Sequence, residues 1–190
     1  MAPARQNGDM VGTLDWTPAL SRPELVATPV EKVLAELGPD ADDVAVAEID
    51  PDLADTAAFC ETYGVGLDIS ANCVVVAAKR GGGRDLAACV VLATTRADVN
   101  GLVRRHLEAR KVSFAPMDAA VAETGMEYGG ITPIGLPAGW PLLIDRAVDA
   151  ADRVVVGSGL RRSKLLVPGA LLARLPGAEV LDDLAQPLGA

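Results

Sequence analysis

The run Ala71-Asn72-Cys73-Val74-Val75-Val76-Ala77-Ala78-Lys79 constrains the fold of this chain more than any other segment. It is rich in β-branched residues with few polar interruptions, which is the composition of a central strand. Arg80-Gly81-Gly82-Gly83-Arg84 follows it, and residues 86–94 form a second apolar run. Two such runs joined by glycines read as a hairpin, so an antiparallel pair belongs in the sheet. The three glycines do not make a phosphate loop. They lack the GxxxxGK[ST] pattern and no helix follows them.

The rest of the chain alternates between helical and extended patterns. Ser21-Arg22-Pro23-Glu24 has the form of a helix start, with Ser21 as N-cap and Glu24 closing a capping box. Val30, Val33, Leu34 and Leu37 then keep helical spacing until Gly38-Pro39. Residues 44–50 alternate like a strand. Residues 52–63 read as a helix with Leu53, Ala57 and Cys60 on one side and Gly64 at its end. Further helices are expected over 98–109, 117–124 and 168–175. Short strands are expected over 111–114, 142–145, 153–156, 164–167 and 179–181. Interspersed helices and strands with at least one hairpin predict an α/β fold of the α+β type, built on a mixed sheet. The 190 residues suit one domain. Residues 1–25 read as a flexible N-terminal extension and 26–190 as a single domain.

Composition narrows the function. Half the residues are hydrophobic and 3% aromatic, and no apolar run approaches the roughly 20 residues that span a bilayer. No membrane role is expected. Met1 to Asp9 contain no apolar h-region, so no secretory signal is expected. Cys60, Cys73 and Cys89 are odd in number and lack CxxC spacing, which implies reduced thiols in a cytoplasmic protein. Cys73 and Cys89 sit in apolar runs and read as core. The net charge of −9 argues against broad nucleic-acid binding, and no DNA partner is expected. Two basic clusters, Arg104-Arg105-His106 with Arg110-Lys111 and Arg161-Arg162 with Lys164, read as solvated surface. His106, the single histidine, reads as a structural side chain on a helix. With no HExxH, GxSxG or paired metal-ligand spacing, neither a triad hydrolase nor a metalloenzyme is supported, and no cofactor or metal is expected.

One stretch stands apart. Tyr128-Gly129-Gly130-Ile131-Thr132-Pro133-Ile134-Gly135-Leu136-Pro137 packs three glycines and two prolines behind a helix. Glycine allows a close approach of backbone to ligand, and proline stiffens the loop. Bare N–H groups on such a loop can hold a carbonyl oxygen or a developing oxyanion. The plainer reading is a turn that reverses the chain. Asp145 ends an apolar strand, where a carboxylate needs a partner or solvent. Gly157-Ser158-Gly159 closes another strand. Both could line one cleft, or both could simply terminate strands.

The order of these pieces resembles that of a known family. The central strand, its hairpin partner, the Gly129-Gly130-Ile131-Thr132-Pro133-Ile134-Gly135 loop, Ile144-Asp145 and the Val154-Val155-Val156-Gly157-Ser158-Gly159 segment match the YbaK/prolyl-tRNA synthetase-associated domain family, the aminoacyl-tRNA editing deacylases. The resemblance covers roughly residues 30–184. It implies a mixed, mostly antiparallel, partly barrel-like sheet flanked by helices. It also implies hydrolysis, without a metal, of the ester of a mischarged tRNA, such as Ala or Cys on proline tRNA. By the same resemblance Gly129, Gly130 and Ile131 would hold the carbonyl and oxyanion. Pro133, Gly135, Asp145, Gly157, Ser158 and Gly159 would shape the substrate pocket, and Arg161 and Arg162 would contact tRNA weakly. The family often carries a lysine where this chain has Asn72, which offers an amide but no charge. Lys79 is no substitute, lying about 23 Å further along an extended strand. Three expectations therefore stand: an editing deacylase tuned by Asn72, a catalytically silent relative, or a structural or interaction domain that keeps only the fold. The silent relative would bind a tRNA 3′ end, a small aminoacyl ligand or a protein partner. The acidic balance predicts weak, salt-sensitive tRNA affinity, so an aminoacyl-tRNA synthetase is an expected partner that delivers the substrate.

Overall fold

The computed structural model describes residues 11–188, so the absent h-region expected over Met1 to Asp9 lies outside the described residues. In chain order the elements are Thr17–Pro18 (β1), Thr28–Glu36 (α1), Ala45–Glu48 (β2) and Thr56–Tyr63 (α2). The hairpin Ala71–Arg80 (β3) and Gly83–Leu92 (β4) follows, then Thr95–Ala97 (β5) and Arg104–His106 (α3). Lys111–Phe114 (β6), Met117–Thr124 (α4), Leu142–Asp145 (β7) and Arg146–Asp149 (α5) come next. Val154–Gly157 (β8), Ser163–Val167 (β9), Gly169–Leu172 (α6), Ala178–Leu181 (β10) and Ala185–Pro187 (β11) complete the described chain.

The strands form a four-stranded sheet in the order β1-β2-β9-β8, a five-stranded sheet β10-β7-β4-β3-β6, and the pair β11-β5. Pairing is mostly antiparallel; β4–β7 and β7–β10 are the parallel exceptions. No barrel closes among the described residues. A bridge from Ser70 to Val155 joins the two large sheets where β3 begins beside β8. This is the mixed, mostly antiparallel α/β architecture expected from the sequence.

Period-two alternation distributes the core over both faces of each sheet. Ala88 and Val90 of β4 turn toward a cluster that also holds Val154, Val156, Leu165 and Val167 of the other sheet and Val30 and Leu34 of α1. Ala87, Cys89 and Val91 face the opposite way, under Val99, Val103 and Leu107. On the far face of the four-stranded sheet, Ala47, Val155 and Leu166 meet Phe59 and Cys60 of α2. The side of α2 that packs is thus Phe59 and Cys60, while Ala57 is exposed.

Several local expectations are corrected. The first long helix begins at Thr28, with Pro29 in its first turn, not at Ser21. The Ser21 hydroxyl donates instead to the Pro18 carbonyl at 2.7 Å, and the Glu24 carboxylate is taken by Arg22. With both capping groups committed locally, residues 19–25 form two short 3₁₀ turns. Residues 11–25 are also not loose where described. Leu14, Ala19 and Leu25 are buried, and Thr13 N donates to Tyr63 O at 2.8 Å. The expected helix over 98–109 is a π-helical turn, Val99–Val103, running into α3. The Asp98 carboxylate accepts from Gly101 N and Leu102 N at 3.0 and 2.7 Å, which sets that entry. The helix expected over 168–175 contracts to α6. Among the described residues no helix is long and apolar enough to cross a membrane.

Leu165 is fully buried between the sheets, so Leu165→Ala should lower the unfolding free energy by about 2–5 kcal/mol in a urea titration. Met117, which is 56% exposed, serves as the control: Met117→Ala should stay within about 0.5 kcal/mol of wild type.

Candidate functional site

A cavity of about 330 Å³ opens where the two sheets meet. Its walls come from the start of α2 (Ala54, Asp55, Thr56), the start of β3 (Ser70 to Val75), the end of β8 with Gly157, and the loop residues Tyr128, Gly129 and Ile131. Phe114 and Tyr128 stand at its rim, 69% and 55% exposed. Lys164 lies within it.

The glycine-rich loop is held in place by backbone bonds to the segment after β8. Glu127 N donates to Gly159 O at 2.9 Å and Gly159 N to Gly130 O at 2.7 Å, while within the loop Gly130 N turns back onto Glu127 O at 2.9 Å. The Glu127 carboxylate accepts from Arg161 N at 2.6 Å. Arg161 then reaches across the rim, donating to Pro51 O at 2.9 Å and Tyr128 O at 3.3 Å. The approach is so close that side chains are excluded. A methyl group at Gly130 would stand 2.6 Å from the Leu160 carbonyl carbon. One at Gly157 would collide with the Gly130 carbonyl oxygen and stand 2.8 Å from that of Ile131.

This arrangement sorts the residues singled out from the sequence. Gly129, Ile131, Asn72 and Gly157 come together on the cavity. Gly130 is buried beneath it and its amide is already bonded, so it has no N–H to offer. The Gly129 and Ile131 amides have no acceptor among the described residues. Asn72 accepts from the Thr56 hydroxyl through Oδ1 at 2.6 Å, which leaves its amide nitrogen as a donor.

Asp145 does not line the cavity. Its Oδ1 caps α5 by accepting from Ala147 N, and its Oδ2 accepts from Ala185 N, both at 2.9 Å. Ser158 is fully buried and bonded to Ser163 Oγ at 2.7 Å. Gly159 belongs to the lacing described above, and Pro133 and Gly135 line a separate cavity beside Trp140. Arg162 donates to the Glu24 carbonyl. His106 sits apart, with Nε2 2.9 Å from Glu179 Oε2.

Sequence reasoning missed Lys164. Grouped there with Arg161 and Arg162 as solvated surface, it is 8% exposed. Its β9 position pairs with Gly157 on one side and Ala47 on the other, facing the layer that α2 covers. The ammonium donates to Ala54 O at 2.9 Å and lies 5.2 Å from the centre of the Phe59 ring. Among the described residues no carboxylate lies within salt-bridge distance of it. Burial lowers its pKa to about 8, partly offset by Cys60 and Asp55. The nearest sequence signal was its place in an apolar run, Lys164-Leu165-Leu166-Val167.

The cysteines are poor nucleophiles here. Half-buried Cys73 lines the cavity, but burial raises its thiol well above the ordinary range, and it pushes that of Cys89 up to about 12. Among the described residues no three His, Cys, Asp or Glu side chains gather as a metal-ligand set.

Comparison with known proteins adds a family. The model of the aminoacyl-tRNA editing domain matches residues 50–175, which includes every residue on the cavity. Among solved structures, a proposed trans-editing enzyme for prolyl tRNA synthetase is similar, with a TM-score of 0.68 and 20% identity over 81% of this chain and 93% of that one. A scaffold protein from computational epitope grafting gives 0.69 and 22%, over 82% and 95%. The hypothetical protein APE2540 gives 0.70 and 21%, over 82% and 100%. At these identities the structures share the fold.

Burial of Lys164 makes a stability prediction. Between pH 8 and 10.5 the unfolded chain keeps a proton that the folded chain has released, so folding gains stability as pH rises through that window. Below about pH 8 both states are protonated and the full penalty is present. The unfolding free energy of wild type relative to Lys164→Met should therefore rise by on the order of 3 kcal/mol from pH 7.5 to 10.5. Paired urea titrations at the two pH values would measure this; a constant difference would contradict it.

Proposed function

The chain belongs to the aminoacyl-tRNA editing domain family, and from that premise we propose that it is a trans-acting deacylase. It hydrolyses the ester that links a wrong amino acid to the 3′ end of a tRNA. The observation that carries this reading is the pair of unbonded amides, Gly129 and Ile131, on a cavity that Asn72 and Gly157 also line. Amides fixed in advance stabilise a developing oxyanion without reorganising, and removing one such donor typically lowers kcat by about 10²–10³.

The cavity suits a small acyl group. Its 330 Å³ sits at the lower end of small-molecule sites, which run from roughly 300 Å³. The ester carbonyl is placed toward Gly129 and Ile131, and the nucleotide extends past Phe114 and Tyr128 at the rim. Proline tRNA charged with Ala or Cys is the first substrate class to test, by likeness to the fold of a proposed trans-editing enzyme for prolyl tRNA synthetase. The net charge of −9 makes tRNA binding by the isolated chain weak and steeply salt-dependent. Delivery of the substrate by a synthetase would offset that weakness. Residues 26–190 carry the editing chemistry in this reading, with residues 11–25 packed against them.

Asn72 has a specific part. Its Oδ1 is committed to Thr56, so its amide N–H is turned to the substrate as an uncharged donor. Thr56 holds that orientation.

Deacylation of a panel of mischarged tRNAs tests the proposal. Wild type should release Ala or Cys from proline tRNA, and Gly157→Ala should reduce kcat about 100-fold by displacing the loop that presents the two amides. Wild type that spares every ester on the panel would overturn the reading.

A further inference from the structure

We infer that Lys164 is a catalytic residue of this cavity, its ammonium meeting the acyl oxygen of the substrate as that oxygen becomes negative. The inference rests on the editing reading and adds a charged group to a site otherwise made of backbone amides.

Four observations carry it. Lys164 and its carbonyl acceptor Ala54 both line the cavity. The side chain is 92% buried yet touches no carboxylate among the described residues. A buried, unpaired cation is unfavourable unless something anionic joins it. An ammonium also carries three donors, and one of these is used, by Ala54 O. Finally, β-pairing sets Lys164 opposite Gly157, the residue against which the Gly130-Ile131 backbone is pressed. The positive charge and the free amides therefore share one chamber.

Depth decides which oxygen it meets. A phosphodiester keeps much of its hydration and belongs at the rim, where Arg161 lies. The acyl group is the smaller and less hydrated part of the substrate, and it is the part that reaches a side chain buried as Lys164 is. In such surroundings a fixed charge acts through a low dielectric and is worth more than in water.

The step balances without an added reagent. Water attacks the ester carbonyl carbon and forms a new C–O bond. The carbonyl π pair moves onto the acyl oxygen, which the Lys164 ammonium and the Gly129 and Ile131 amides then hold. On collapse that pair restores C=O and the bond to the ribose oxygen breaks. The ribose oxygen leaves with the proton that the attacking water gives up, and the freed acid ionises to solvent. Lys164 keeps its proton throughout.

The reaction therefore requires the protonated lysine. The groups that face it are Asp55 and Cys60 from the α2 side and Arg161 from the loop between β8 and β9. Its strand neighbours Ala47 and Gly157 carry no charge.

The test has a kinetic arm and a binding arm. Single-turnover hydrolysis of a mischarged tRNA should show Lys164→Met lowering kcat about 100-fold with KM within about threefold of wild type. Wild type should lose rate as pH rises through the titration of Lys164, a limb missing from Lys164→Met on the same substrate. For binding, the probes are adenosine 3′-(1-aminoethyl)phosphonate, tetrahedral and anionic, and adenosine bearing a planar neutral 3′-alanyl amide. Wild type at pH 7 should prefer the phosphonate at least tenfold, and the preference should fade by pH 10, which needs no variant. It should also vanish in Lys164→Met that melts cooperatively. Wild-type hydrolysis with Lys164→Met equal in kcat and pH profile, or an undiminished phosphonate preference in that variant, overturns this inference alone. No hydrolysis by wild type together with no phosphonate binding removes the editing reading and this inference with it.

Discussion

The site depends on one close approach of backbone to backbone. Residues 127–130 and 157–161 come together with no room for a side chain between them, and two main-chain hydrogen bonds of 2.9 and 2.7 Å tie them. Everything functional follows from that contact. It occupies the Gly130 carbonyl, while a turn onto Glu127 O occupies the Gly130 amide, and this leaves the flanking amides of Gly129 and Ile131 without an acceptor among the described residues. It also joins the end of β8 to the loop after α4, so the wall of the cavity is anchored in a sheet rather than suspended from a turn. Glycine at 130 and 157 is required by space; any larger residue would push the donors out of line.

The same sheet carries an electrostatic cost. The strand β9 alternates, with Leu165 and Val167 facing the inter-sheet core and Lys164 and Leu166 facing α2. A lysine in that second layer gives up most of its hydration for one carbonyl and an aromatic face. Cation–aromatic attraction of about 2 kcal/mol when desolvated offsets only part of such a loss. A fold selected for stability alone would place an aliphatic residue there. The residual strain is of the kind that accumulates where a site must be ready for a charge that is absent in the resting state.

Sequence reading reached the elements whose signal is local. The β3–β4 hairpin follows from an apolar run, a glycine turn and a second apolar run, and α4 with Gly125 after it follows from spacing and a left-handed C-cap. It reached the loop at 128–137 for the same reason. It did not sort the members of that loop, because the tight turn that puts Gly130 N on Glu127 O is held by contacts to Gly159 and Leu160, distant in the chain. Asp145 and Ser158 were placed at the pocket by the family resemblance, since polar groups closing apolar strands are ambiguous from the residues alone. Their partners, Ala147, Ala185 and Ser163, come from turns and neighbouring strands and decide the matter. Lys164 was invisible in another way. Beside two arginines it has the composition of a surface patch, and only the packing of α2 over β9 buries it. Charge clusters report solvent exposure only when all members share a face, and here the turn at 161–162 gives way to a strand at 163.

Asn72 and Lys164 then read as parts of one electrostatic choice. They lie on different sheets, brought to a common cavity where the Ser70–Val155 bridge joins those sheets. An ammonium at both positions would set two like charges on one small chamber, each raising the cost of the other. A neutral amide at 72, oriented by Thr56, keeps a hydrogen-bond donor on that wall and leaves Lys164 on β9 as the one buried cation among the described residues. The uncharged residue on β3 is thus compatible with an active site, because the cavity's positive charge enters from the opposite sheet. What sets the chemistry of such a cavity is the total charge presented to the acyl oxygen, and the strand that supplies it is free to differ.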